Sequence, residues 1–253
     1  MKTENSSNTL SIEYRFKLQN GAEKKFLVEL DERTLELRST KPESLPDWTQ
    51  LTSHQCPNCP LDPAKHSYCP AATSLVELVE VFRNELSYEL ADVEVKTSTR
   101  DFSKRIQLQY GVSSLMGLLM VTSGCPVLDM LRPMAHTHLP FASSQETIYR
   151  ICSMYLLGQY FIQQNGGTPD SKLEKMLQMF EGISLVNRSF IRRLSTVTLE
   201  SDAVNNALAN LDCFALLTTY SAKEDLDRIK EVFLAWNDDA IKARGATETS
   251  ERA

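Results

Sequence analysis

Between residues 39 and 70 the chain carries Pro42, Pro46, Pro57, Pro60, Pro63 and Pro70, six of its ten prolines. Proline has no amide hydrogen and a locked φ, so this density excludes both a helix interior and a central strand. A long irregular stretch inside a compact chain needs an anchor other than backbone ladders. The same stretch holds Trp48, His54, His66 and three of the six cysteines. Those side chains are the candidates for what orders it.

The flanking sequence is regular. Leu10, Ile12, Tyr14, Phe16 and Leu18 alternate with polar residues, the period of a half-buried strand. Asn20-Gly21 is a hairpin signal, because both residues tolerate positive φ. Phe26, Val28 and Leu30 supply the return strand, and Leu35 to Leu37 is expected as a third. Val93, Val95 and Thr97 alternate as a possible fourth. Cys69-Pro70 opens a helix with Leu75, Leu78, Val79 and Phe82 on one face. From Ser103 to about Thr122 the spacing predicts a helix in which Gly111 and Gly117 mark close neighbours. Ser143 with Glu146, and Ser221 with Glu224, form capping boxes. Thr168-Pro169 reads as N-cap and N1, and residues 202–220 as a further helix.

The expected architecture is α+β, a small N-terminal antiparallel sheet of three or four strands followed by a bundle of five to six helices. The expected division is a disordered tail over 1–9, then the sheet, Cys/Pro loop and first helix over 10–100. A helical bundle over 101–240 and a disordered tail over 241–253 complete it.

The chemistry concentrates in HQCPNCPLDPAKHSYCP and the later SGCP. Four of the six cysteines, Cys56, Cys59, Cys69 and Cys125, precede a proline. Prolines 70 and 126 are expected at helix starts. Their cysteines then meet free N–H groups that favour a thiolate, the form that ligates metal. The first three cysteines have the spacing C-x2-C-x9-C, with His66 three residues before the last. Cys56, Cys59, Cys69 and His66 would make a zinc site from one loop. With Cys125 in place of His66 the set is all thiolate, suited to zinc or an iron–sulfur cluster. The Cys-Pro step, familiar from ferredoxin-type runs, favours iron–sulfur slightly.

Competing readings are weaker in context. Cys56-Pro57-Asn58-Cys59 has the spacing of a glutaredoxin-type site, but such a motif follows a strand and opens a helix in a βαβ setting. Pro60 and Pro63 follow here instead. His136 and His138, two apart, could face one site if the segment is extended. Without a nearby carboxylate, hydrogen bonding to the backbone is the simpler role. Cys152 and Cys213 read as core residues. Tyr149, Tyr155, Tyr160 and Phe161 read as core and interface, and Arg188, Arg192 and Arg193 as a solvated basic face. No P-loop, dinucleotide fingerprint, G-x-S-x-G or zincin helix is present.

A net charge of -6 argues against nucleic-acid or anionic-membrane binding. The N-terminal segment lacks a secretory pattern, and Leu115 to Val121, the longest apolar run, falls short of the roughly 20 residues a bilayer needs. A cytoplasmic address is expected, where clustered thiols bind metal or react rather than form disulfides.

HQCPNCPLDPAKHSYCP, SGCPVLDMLRPMAHTHLPF and TIYRICSMYLLGQYF together resemble an uncharacterised bacterial family of unknown function, over most of residues 10 to 220. The resemblance implies a shared site at Cys56, Cys59, Cys69, Cys125 and His138, and brings no established activity. The expectation is a metal-centre protein with a sensing, redox or regulatory role. The four cysteines are its ligands, and His66 or His138 substitutes or supports them. The alternatives are a scaffold for a protein partner with a structural zinc, and a metal-assisted enzyme with its site near Cys125 and His138.

Overall fold

A computed structural model describes residues 8–38, 44–197, 199–230 and 232–233. The expected tails lie almost wholly outside the described residues. Among the described residues, four antiparallel strands and six α-helices make an α+β fold. The strands are β1 (Thr9–Leu18), β2 (Glu23–Asp31), β3 (Leu90–Lys96) and β4 (Asp101–Gln107), in the order β2-β1-β3-β4. Alternation buries Ile12, Tyr14, Phe16 and Leu18 of β1, Phe26, Val28 and Leu30 of β2, and Ala91, Val93 and Val95 of β3 on one face. Between β1 and β2, Gly21 takes φ +82°.

The helices are α1 (Pro70–Ser74), α2 (Val76–Phe82), α3 (Leu108–Thr122), α4 (Ser144–Gln164), α5 (Glu174–Leu194) and α6 (Ala203–Ile229). Short 3-10 segments cover Asp47–Thr49 and Leu128–Thr137. On the buried sheet face, Phe82 of α2 stacks on Phe26 (centroids 5.6 Å apart) and meets the edge of Phe16 at 5.0 Å. The long helix α3 crosses the same face. A Cβ on Gly111 would stand 2.9 Å from Phe16 Cε1 and 3.0 Å from Val93 Cγ2, so only glycine allows this approach. Gly117 meets α6 in the same way, 3.3 Å from Leu211 Cδ2.

Several local expectations are overturned. Leu35 to Leu37 is no strand. Asp31 Oδ1 accepts the N–H groups of Arg33 and Thr34, each at 3.0 Å, and Leu35 takes a left-handed φ of 58°. The segment returns to β2 for one isolated bridge, Leu37 to Leu30, with Asp31 N–H donating to Glu36 C=O at 2.9 Å and Arg38 N–H to Glu29 C=O at 2.8 Å. The third position in the sheet goes to β3, which pairs with the free edge of β1 (Tyr14↔Val95, Phe16↔Val93). Residues 103–107 are strand, not helix, because they complete the hairpin with β3. Helix α5 starts at Glu174 rather than after Thr168-Pro169. Asp170, bound to the Tyr155 hydroxyl at 2.8 Å, also accepts the Lys175 N–H at 2.7 Å, and Leu173 turns the chain at φ 63°. The expected break near 221 is absent, and α6 runs through it. The Ser143–Glu146 capping box is present. Among the described residues no helix is long and apolar enough to cross a membrane.

The glycine contact yields a prediction. Alanine is a better helix former than glycine by about 1 kcal/mol. Overpacking against Phe16 and Val93 outweighs that gain, so Gly111→Ala is expected to destabilise by about 1–3 kcal/mol in urea denaturation.

Candidate metal centre

The proline-rich loop is held by contacts at both ends. Leu51 N–H donates to Ser67 C=O at 2.9 Å and Cys69 N–H to Thr49 C=O at 2.8 Å, closing residues 51–67 into a loop. Within it, Cys59 N–H donates to Cys56 C=O at 3.0 Å, the tight turn that Pro57-Asn58 permits. Asn58 Nδ2 donates to the Gly182 carbonyl on α5 at 2.9 Å, which pins the turn to the helical half.

The turn brings Cys56 and Cys59 to a small closed cavity that Cys69 and Cys125 also line, with Leu51, Val186, Phe190 and Arg193. Its volume is about 10 Å³, close to that of one water-sized sphere. Cys69 is the residue before α1, and the N–H groups of Ala72 and Ala71 face its sulfur. Cys125 lies in the turn after α3, and the N–H groups of Leu128 and Val127 face its sulfur. Both are buried, whereas Cys56 and Cys59 are half-buried.

Burial dominates the chemistry of three of these thiols. It pushes Cys56 up to about 11, against a smaller opposite pull from Ser189. Burial also raises Cys69 and Cys125, outweighing their N–H donors. The expected bias toward thiolate is therefore reversed in sign, because desolvation of the charged form exceeds what two amides return. Among the described residues no group of three or more His, Cys, Asp or Glu could hold an ion as it stands.

The residue that sequence reasoning misplaced is Arg193. Expected on a solvated face, it is 1% exposed, while Arg188 and Arg192 are exposed. Its Nη1 donates to the carbonyls of Trp48 and Gln50, both at 2.6 Å. Nε and Nη2 are buried without a hydrogen-bond partner. Among the described residues no carboxylate pairs with it, and the ionisable groups that act on it are the thiols of Cys69, Cys56 and Cys59. The missed signal was its place on the apolar stripe of α5. It follows Met179, Ile183, Val186 and Phe190 at alternating steps of four and three.

The histidines lie elsewhere. His66 is exposed and does not line the cysteine cavity, and His136 is exposed. His138 lines a second, larger cavity, and its Nε2 is 2.5 Å from the Tyr14 hydroxyl, which also bonds Ser114 Oγ at 3.0 Å. Cys152 is buried as expected, but Cys213 is exposed on α6. Of the aromatic group on α4, Tyr155 is buried, whereas Tyr149, Tyr160 and Phe161 are exposed. The two cavities share walls. On α5, Val186 and Phe190 face the cysteines while Ile183 and Asn187 face the larger space. Val127 and Leu128 divide in the same way.

A family model described as a domain of unknown function, DUF6901, matches residues 12–234. The chain belongs to the DUF6901 family. No curated protein matches the chain, and no solved structure does.

The donor set of this DUF6901 chain consists of soft sulfur groups, the type that thiophilic ions select. Four soft sulfur donors line one space, four backbone N–H groups face two of them, and a buried cation lacks a counter-charge. An unpaired buried guanidinium costs several kcal/mol, and a tetrathiolate set with a divalent ion carries the negative charge that offsets it.

His138 provides a pH prediction independent of the cysteines. Burial first, and the Arg150 charge second, hold its imidazole down at about 4, against 6.5 unperturbed. Between those values the unfolded chain binds more protons than the folded one, so stability falls as pH drops from about 6.5 to about 4. The full effect is about 3 kcal/mol. In urea denaturation at several pH values, His138→Gln is expected to remove this part of the acid sensitivity.

Proposed function

We propose that this is a metal-centre protein in which Cys56, Cys59, Cys69 and Cys125 hold one thiophilic ion, zinc first among them. The observation that carries the reading is the buried Arg193 guanidinium, unpaired beside a cavity that four cysteines line. A space of about 10 Å³ suits one ion better than a cube of four irons and four sulfides. Four protein donors fill a tetrahedral sphere and leave no open position for substrate, so a structural or regulatory role is favoured over a catalytic one. When bound, the ion supplies a cross-link between the loop, the start of α1 and the turn after α3. The chain's own residues prepare it. The N–H groups of Ala71, Ala72, Val127 and Leu128 stabilise thiolate charge, Arg193 balances it, and Asn58 fixes the turn. Because burial pushes the Cys56, Cys69 and Cys125 thiols up, uptake of the ion releases protons and strengthens as pH rises.

Exposed apolar side chains on α4, among them Leu157 (55%) and Phe161 (55%), favour a second reading in which the helical half also binds a protein partner. Light scattering and pull-down with Leu157→Glu and Phe161→Glu would test it, and an unchanged assembly state and partner set would oppose it.

Anaerobic purification followed by metal analysis tests the main reading. One zinc per chain without absorbance near 400 nm is expected, whereas iron with sulfide and that absorbance would replace the single ion by a cluster. Cys125→Ser is expected to lose the metal. Arg193→Met is expected to weaken binding by about 10- to 100-fold, read by competition with a chromogenic chelator. A folded chain that neither carries nor takes up any metal would overturn the proposal.

A further inference from the structure

The larger cavity has a volume of about 650 Å³, within the range of roughly 300–1,000 Å³ typical of small-molecule sites. It lies among α3, the 3-10 segment Leu128–Thr137, α4, α5 and α6. Leu118, Leu131, Phe180, Ile183 and Leu211 give it an apolar wall. Three charged side chains line it, Lys104 and Glu146, both exposed, and the half-buried Arg150. The exposed members of the lining are Lys104, Tyr110, Ser143 and Glu146, and the charges of both Lys104 and Arg150 act on Glu146, so the two cations flank the lining where it meets solvent. Glu146 is already engaged, its Oε2 accepting from Ser143 N–H at 2.7 Å and from Ser143 Oγ at 2.8 Å. Arg150 donates from Nη2 to the carbonyls of Met134 and Thr137, and neither it nor Lys104 forms an ion pair among the described residues.

We propose that this cavity binds an amphiphilic carboxylate, with its apolar body among the helices and its carboxylate at the Lys104–Arg150 opening. Charge complementarity selects this class. The opening carries two cations against one capped carboxylate, so it attracts a single anionic head and repels a cationic one. The apolar wall favours an unbranched or compact hydrocarbon body and leaves no place for a polyanion inside. The polar line His138–Tyr14–Ser114 reaches the cavity with its members already bonded to one another, so it makes no demand for a second charge.

The inference does not depend on the metal centre, and its test separates the two. Dodecanoate below its micellar concentration is titrated by calorimetry into the full chain, both metal-loaded and chelated. Saturable binding at one site is expected, at least about tenfold tighter than dodecanol and than dodecyltrimethylammonium. Arg150→Gln is expected to remove that preference while dodecanol binding persists. Ile183→Trp, which takes up cavity volume from the buried α5 wall, is expected to abolish binding of both, with far-UV circular dichroism reporting that the fold is kept. Absence of saturable binding to a folded chain would overturn the site. Equal affinity for the carboxylate, the alcohol and the ammonium in the unsubstituted chain would overturn its charge class, whatever the variants do.

Discussion

A guanidinium inside the protein organises much of the rest. Arg193 reaches from α5 to the carbonyls of Trp48 and Gln50, at the point where the sheet's trailing chain enters the proline-rich loop. Those two short bonds tie the helical half to the segment that lacks ladders of its own. They also leave Nε and Nη2 of the same group buried without a hydrogen-bond partner. Two carbonyls and the Phe190 ring, 5.5 Å from the guanidinium carbon, meet part of its charge, and the other side chains around it include four cysteines. The fold and the proposed chemistry thus meet in one residue.

The sheet was legible where period and turn chemistry agreed. Alternation over Leu10–Leu18 and over Phe26–Leu30 marks β1 and β2, and the buried face follows from it. The errors came where a local pattern competed with a long-range partner. Ser103–Gln107 has helix-compatible spacing, yet β3 offers it a complete antiparallel edge, and pairing decides. Leu35–Leu37 has strand-compatible residues, yet the turn built on Asp31 puts Leu35 in a left-handed conformation and leaves a single bridge to β2 in place of a ladder. Neither the edge nor the turn has a signature within the window from which periodicity is read.

The candidate site divides along the same line. Spacing and the Cys-Pro steps single out Cys56, Cys59, Cys69 and Cys125, and these are the four that line the cavity. His66, placed among them by spacing alone, is exposed, because Ala64 N–H and His66 N–H both turn onto Asp62 and carry the ring to the surface side of the loop. Arg193 was hidden by its neighbours. Two of three nearby arginines are solvated, and composition assigned the third to the same face, although its position on the stripe of α5 pointed inward. Tyr14 was legible as core, while its hydrogen bond to His138 spans the length of the chain between them and has no local trace.

The alternation along α5 sets a limit on how this family can vary. Val186 and Phe190 shape one space, and Ile183 and Asn187 shape the other, from successive positions on one rigid rod. A rod cannot move toward one space without moving away from the other. A larger side chain at 186 or 190 therefore has to be answered across the helix, at 183 or 187, or at Leu128 on the opposite wall. Homologous sequences should carry these substitutions in compensating sets. Divergence should be rapid in residues that face neither space and slow, and correlated, in those that partition the two.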